Sequence, residues 1–287
     1  DRARVDVRIE RQRDCRADHR TLPFERDREP AHPVAPVGDG LLDEPDWAAA
    51  TPIGPLIQSE PVSGRPSSER TDVRVLFDED ALYIGVVCEE AHPGDLIATQ
   101  LQRDANLDVD DRLTIVLDPF FDHRNGFFFE VNPAGARADG QISNNAQILT
   151  KEWDGIWNVV VSRSADGWTA EIAIPFKTLR FKPDQALWGF NVERQIKHLF
   201  EIDRWAAPRA TSWIGNMADA GQLQGLEGVH QGVGLDVRPY VSGGRDTGSG
   251  EFTGGVDAFK SLTPDLNASV TVNTDFAETE ADIRQVN

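Results

Sequence analysis

The chain has 287 residues, enough for one large domain or two ordinary ones, and its 39% apolar and 27% charged content can build a packed core. A formal net charge of −19 and a pI near 4.6 argue against a basic nucleic-acid footprint. The sequence holds no apolar run of about 18 residues, so no transmembrane helix is expected, and its two cysteines, Cys15 and Cys88, form neither a disulfide framework nor a CxxC zinc pattern.

Residues 1–33 are rich in Arg, lack apolar patterning and show no secretory signal at residue 1. They read as a disordered or non-native extension, the alternative being a basic arm whose charge is blunted by interleaved Asp and Glu. Patterned sequence begins near Val34. Gly38-Asp39-Gly40 is a turn, and Asp46-Trp47-Ala48 opens a short helix with Trp47 packed inward. Residues 51–70, rich in Pro, Ser and Gly, are loop. From Asp72 to Glu89, Val73, Val75 and Phe77 alternate, Asp78-Glu79-Asp80 turns, and Leu82 to Cys88 returns as the second arm of a hairpin, with Cys88 a buried, unpaired thiol. A short helix is expected over Pro93–Leu101.

The stretch from Asp108 to Asp139 organises the rest. Leu113, Ile115 and Leu117 share one face, and so do Phe127, Phe129 and Val131, the period of strands with a buried side. Residues 119–126 carry Asp, Arg, Asn and Gly and form a surface turn, which makes a central antiparallel hairpin with acidic residues at one entrance. After a polar stretch come a strand at Asn158–Val161, a turn at 164–167, and a strand in which Trp168, Ala170, Ile172 and Ile174 share a face. Pro175 ends it, Phe176–Leu179 makes one helical turn, and Leu187–Ile196 is a further strand with Trp188, Phe190 and Val192 inward. This run of short strands predicts an all-β fold, an antiparallel β-sandwich over residues 34–230.

Beyond it the pattern changes. Leu235–Gly244, Glu251–Leu262 and Leu266–Phe276 are longer runs of weak alternation, joined by Gly, Ser, Asp and Pro. Runs of about ten residues that are polar on one face resemble outer-membrane barrel strands. Residues 231–287 are therefore expected to be a partial membrane β-barrel segment of a longer protein. The alternative is extra edge strands on the sandwich.

In order along the chain, GDGLLDEPDWAAA, VRVLFDEDALYIGVVCEE, DDRLTIVLDPFFD and GWTAEIAIPFKTL resemble the family 9 carbohydrate-binding module, in the form found at the front of large bacterial outer-membrane proteins of unknown function. The tail, with PYVSGG, GGVDAFKSLTPDLNASVTVNTDFAETEAD and QVN, resembles the barrel start of those proteins, so the match spans roughly Val37 to Asn287. The resemblance implies a jelly-roll-like sandwich that binds an oligosaccharide or polysaccharide. It also implies fusion to a β-barrel at the bacterial outer membrane, the sandwich lying in the periplasm or at the cell surface. In related modules on xylanases two tryptophans sandwich a terminal sugar, polar side chains hold its hydroxyls, and Ca2+ supports the fold. Here Trp47, Trp168 and Trp188 lie on apolar faces and read as core.

A pyranose has an apolar C–H face and a rim of hydroxyls, so its site needs an exposed aromatic plate with planar polar groups around it. Trp153, in Lys151-Glu152-Trp153-Asp154-Gly155, is the best plate candidate and Trp205 the second; Trp157 and Trp213 are less clear. Arg103, Asp104, Asn191 and Arg194 are candidate hydroxyl partners. The competing readings are ordinary loop packing and a surface ion-pair network. Asp104, Asp108, Asp110 and Asp111 form an oxygen-rich cluster suited to structural calcium, although their spacing matches no strict motif and a solvated acidic turn would look the same. Glycoside hydrolysis would need two facing carboxylates. Glu130, Asp139 and Glu171 are available, but Glu130 and Glu171 alternate with core positions and are expected to face solvent. No Ser-His-Asp, P-loop or HExxH pattern is present. The leading expectation is noncatalytic carbohydrate binding linked to polysaccharide capture or breakdown. An interaction module that serves the barrel without a sugar ligand, and a glycoside hydrolase, are the alternatives.

Overall fold

The computed structural model describes residues 8–10, 38–182, 185–226, 229, 235–246, 249–263 and 266–272. The chain divides into two compact units, Asp1–His230 and Gln231–Asn287. The first contains β1 (Arg8–Glu10), α1 (Pro45–Ala49), β2 (Ile57–Glu60), β3 (Thr71–Phe77), β4 (Ala81–Glu89), β5 (Arg112–Asp118), β6 (Gly126–Val131) and β7 (Arg137–Ser143). It continues with β8 (Ile148–Thr150), β9 (Asn158–Ser164), β10 (Gly167–Pro175), β11 (Leu187–Ile196), β12 (Glu201–Arg204) and β13 (Gly221–Gln224). Apart from β1, residues 1–33 lie outside the described residues.

These strands make two antiparallel sheets. The larger runs β1-β13-β11-β5-β6-β7-β8, with β12 and β2 extending it beside β11, and the smaller runs β3-β4-β10-β9. Alternation along each strand explains why they face one another. Leu113, Ile115, Leu117, Phe127, Phe129, Val131, Trp188, Phe190 and Val192 from the large sheet join Val73, Val75, Leu82, Ile84, Val86, Trp168, Ala170, Ile172 and Ile174 from the small one in a single buried cluster. Each large side chain so buried contributes about 1.5–3 kcal/mol relative to exposure. The unit is an all-β antiparallel sandwich, with the Asp108–Asp139 hairpin, now β5 and β6, at the centre of its larger sheet.

Three features differ from expectation. Residues 93–101 form only a single 3-10 turn at Pro93–Asp95, because the N–H groups of Ile97, Thr99 and Gln100 donate to the Asp111 and Asp110 carboxylates instead of to helix carbonyls. The polar stretch around Gly140 is β7, whose outward face is small enough to pass under Phe128; a Cβ on Gly140 would stand 2.5 Å from that ring. Glu171 does not face solvent. It is fully buried and accepts hydrogen bonds from Gly38 N (3.1 Å), Gly40 N (2.9 Å) and the Trp47 indole (3.0 Å). Gly85, its cross-strand neighbour, leaves the room that Trp47 fills. Glu130 is likewise buried, 3.0 Å from Arg112.

The second unit is a meander of β14 (Leu235–Asp246), β15 (Ser249–Thr263) and β16 (Leu266–Val272). Val237 and Val270 both pair with Ala258, and Val256 pairs with Val272, which puts the four valines on one face. That face is open: they are 51%, 62%, 38% and 61% exposed, respectively. No closed barrel is formed among the described residues.

One charged group ties the two layers of the sandwich. Arg194 shares the inward face of β11 with Val192 and is 1% exposed. It donates to Arg70 O and Thr71 Oγ1 (both 3.0 Å), to Glu89 O (2.7 Å) and to Glu90 Oε1, all at the ends of β3 and β4. Replacing Arg194 by Leu strands Glu90 without a counter-charge and should cost about 3–5 kcal/mol of unfolding free energy, read from the denaturant midpoint. The double variant with Glu90→Leu should recover part of that loss; no recovery would mean the pair is not the coupling.

Asp203 of β12 lies directly across from Arg194. Burial first, then the negative charge of Glu201, raise its pKa to about 8, while Ser67 and Arg194 pull the other way. An Asp raised from its unfolded value near 3.9 stabilises the fold fully below that pH and loses the contribution as pH climbs through about 8. The denaturation midpoint should therefore fall between pH 4 and 8, by an amount on the order of a few kcal/mol, and Asp203→Asn should flatten the profile. Glu90, raised by burial against the pull of Arg194, adds a slope of the same sign that Asp203→Asn leaves in place. A slope unchanged by Asp203→Asn would refute the assignment.

Candidate functional site

The segment between β4 and β5 is wrapped around two buried carboxylates. Asp110 Oδ1 accepts from Thr99 N (2.8 Å) and Oγ1 (2.7 Å), and its Oδ2 from Gln100 N (2.9 Å) and Asn132 Nδ2 (2.8 Å). Burial alone would raise its pKa, but these hydrogen bonds outweigh burial and hold it below the ordinary value. Asp111 accepts from Ile97 N and, at 3.0 Å, from Lys197 N. The segment so fixed presents Arg103 and Asp104, the latter in the left-handed region at φ 59° with its N–H bonded to Arg137 O at 2.9 Å.

Arg103 is the hub of an edge where the inward face of β7 meets the 151–157 loop. Its Nη2 donates to Asp139 Oδ1 (2.7 Å) and Gly155 O (3.0 Å) and pairs with Asp154, and its Nε lies 3.3 Å from Asp104 Oδ2. Asp139 also accepts from the Trp157 indole (2.9 Å) and Gly155 N (2.6 Å). Burial raises the Asp139 pKa, and these donors together with Arg103 work against it. Arg137 donates to Trp157 O (2.6 Å) and stands 5.5 Å from that ring; burial, then Arg103, lower its pKa. Trp153 is half-buried, its ring 4.7 Å from Phe127 and 6.1 Å from Phe129. It lies on Gly155, where a Cβ would come within 2.7 Å of the indole. The Asp104 and Asp154 side chains are 44% and 57% exposed, that of Arg103 is 30% exposed, and Trp153 is half-buried.

Of the candidate sugar contacts, Arg103, Asp104 and Trp153 are thus placed at one edge, and Asp139 joins them. The other three proposed sugar contacts are not at a surface. Trp205 is completely buried, with its indole bonded to Ile53 O at 2.8 Å and its ring 5.8 Å from Phe190. Asn191 is occupied by Val192 N (3.0 Å), Ala206 N (2.9 Å) and Ala206 O (3.1 Å). Arg194 is the inter-sheet tie. Polar flanks misled the reading of Trp205, because neighbours along extended chain point to opposite sides.

The four aspartates proposed for calcium do not converge. Asp110 and Asp111 are occupied as above, Asp104 pairs with Arg103, and Asp108 pairs with Arg112. Among the described residues the carboxylates that do gather are Asp39, Asp43 and Glu44, with ligand atoms within 4.8 Å of one another. Glu44 Oε2 is shielded and unpartnered. Burial first, then the charges of Glu171, Asp43 and Asp39, raise the Glu44 pKa. These three could hold a hard cation and would supply part of the about six to eight oxygens that calcium takes. Glu130, Asp139 and Glu171 stand on three different strands, each buried and each engaged by protein donors.

Trp213 escaped the leading candidates, yet at 40% exposure it is the most open of the tryptophans; Trp47, Trp157, Trp168, Trp188 and Trp205 are at most 2% exposed.

No known family profile matches the chain, and no curated protein matches it. Among solved structures it is similar to a family 9 carbohydrate-binding module from Caldicellulosiruptor kristjanssonii in complex with cellotriose (17% identity, 66% of this chain and 88% of that one, TM-score 0.48). The module in complex with glucose gives 18% identity, 66% and 90% coverage and TM-score 0.48. A carbohydrate-binding protein candidate from Bacteroides uniformis gives 13% identity, 62% and 87% coverage and TM-score 0.48. These are distant likenesses of shape, and the functional argument rests on the side chains.

Proposed function

We propose that the sandwich is a noncatalytic carbohydrate-binding module. The observation that carries this reading is the Arg103 edge. Asp104 and Asp154 keep carboxylate oxygens in solvent, where they can accept hydroxyl protons, while Arg103 is clamped by Asp139 and Gly155 O and cannot swing away. The half-buried Trp153 keeps part of its apolar area accessible to a ring C–H face. The site is preformed, which limits the ordering cost of binding. The three carboxylates considered for hydrolysis are closed to a substrate, so the arrangement suits holding a sugar and not cleaving it.

Calorimetric titration of the full chain, beginning with cellotriose and glucose and extending to a glycan array, should find binding. Asp154→Ala, at an exposed position, should weaken it by about tenfold with an unchanged melting midpoint. A folded chain that binds no oligosaccharide sinks the proposal.

We further propose that the second unit opens an outer-membrane β-barrel, with the module serving polysaccharide capture or breakdown at the bacterial envelope. Support comes from strands of 12 and 15 residues, β14 and β15, long enough for the about 9–11 residues of a tilted membrane strand. Support comes also from the single open face holding Val237, Val256, Val270 and Val272, since barrel strands alternate apolar-out and polar-in. The full chain should float with phosphatidylcholine vesicles in a density gradient, and Val237→Ser/Val270→Ser/Val272→Ser should reduce flotation. A wild-type chain that stays at the bottom counts against this reading.

A further inference from the structure

We infer that Trp213 is the platform of a second sugar-contact site, one that takes the C–H face of a neutral pyranose. The inference deepens the carbohydrate reading but stands on residues other than those of the Arg103 edge.

The loop between β12 and β13 is mounted on the outer face of the large sheet. Ile214 and Met217, within and just after the turn, are buried with Val116, Phe128 and Ile142. Arg204, 3% exposed, is held by Glu193 (Nε 2.9 Å, Nη2 2.5 Å) and passes Nη1 to Ser212 O at 2.7 Å. Asp219 gathers the rest: its Oδ2 accepts from Ser212 Oγ (2.5 Å) and Asn216 Nδ2 (2.9 Å), and its Oδ1 pairs with Arg209. Asn216 N closes the turn on Trp213 O at 3.0 Å. The backbone on both sides of Trp213 is therefore fixed.

The ring itself lies against Gly215. A Cβ at that position would stand 1.8 Å from Cζ3 and 2.3 Å from Cε3, so the indole uses the missing side chain as its seat. With one side seated on backbone, 40% of the residue remains in water, in a chain whose five fully packed tryptophans expose at most 2%. The shielded Asn216 Oδ1 on the same loop has no hydrogen-bond partner among the described residues. A rigid aromatic plate, with amide and guanidinium groups on its loop, matches a ring that is apolar on its face and hydroxylated at its rim. Arg209 and Asp219 neutralise each other, and the −19 net charge of the chain disfavours uronate or sulfated sugars.

The test uses the full chain with cellohexaose, xylohexaose and maltohexaose as probes. Trp213→Ala and Gly215→Ala should each weaken the binding of at least one hexaose by about tenfold, with circular dichroism melts unchanged. The same hexaose should protect the wild-type chain, but not Trp213→Ala, from acrylamide quenching of tryptophan fluorescence. Wild-type affinity of Trp213→Ala for every hexaose, or an absence of protection, overturns the inference. Binding that Asp154→Ala weakens and Trp213→Ala leaves intact removes this site and keeps the Arg103 edge; the reverse pattern keeps this site alone. Absence of any binding removes both.

Discussion

A guanidinium sealed between two sheets sets the constraint under which the sandwich is built. Arg194 continues the inward row of Trp188, Phe190 and Val192, so β11 carries its alternation out of the apolar core and into a charged position without changing side. Two of the four groups it meets are backbone carbonyls, at Arg70 and Glu89, so the ends of β3 and β4 must arrive where the arginine can reach them. Hydrophobic contact is tolerant of sliding; four directed hydrogen bonds are not. The same enclosure pushes the thiol of Cys88 up to about 11, desolvation outweighing the attraction of Arg194, and leaves it a small apolar core residue.

The acidity of the chain is partly an internal scaffold. Asp110 and Asp111 fold the 97–111 segment around themselves, Glu171 anchors the entry of the module through Gly38, Gly40 and Trp47, and Glu201 receives Gln58 (2.8 Å) and both the N–H and hydroxyl of Ser68 (2.7 and 2.6 Å). Each carboxylate collects loop donors that have no strand partner, the task that carbonyls perform inside a helix. Acidic residues crowded before a strand look like a cation site in one dimension. In three dimensions Asp110 and Asp111 are taken by loop N–H groups, and Asp104 and Asp108 each pair with an arginine.

Legibility followed side-chain size. β3, β4, β5, β6, β10 and β11 carry large apolar residues at period two and could be read directly. β7, Arg137–Ser143, could not: its inward position at Asp139 is charged and its outward position at Gly140 is bare, because the arginine hub and Phe128 need that space. β2, β12 and β13, four residues each, are too short to show a period. Within the site, polar neighbours were a poor guide to an exposed tryptophan. A better signal was present: Trp153-Asp-Gly155 and Trp213-Ile-Gly215 both place a glycine two residues after the ring, and in both the indole lies on it. The tryptophans that pack into the core lack that spacing.

The two seats differ in a way that bears on what each ring can do. Trp153 leans on Phe127 and Phe129, so part of its area is committed to the sandwich, and in the proposed site the remainder would supplement Arg103, Asp104 and Asp154. Ile214 and Met217, near Trp213 on the same loop, are buried in the outer cluster while Trp213 itself stays 40% exposed. A preformed plate loses little rotamer entropy on meeting a sugar, and most of the gain is apolar area removed from water. In the proposed carbohydrate module, hydroxyl geometry would select at the first contact and ring shape at the second. Two such contacts on one chain raise the effective concentration of a polymeric ligand at the second once the first is engaged, provided the polymer can span them. A monosaccharide cannot gain from that coupling, and a polysaccharide can.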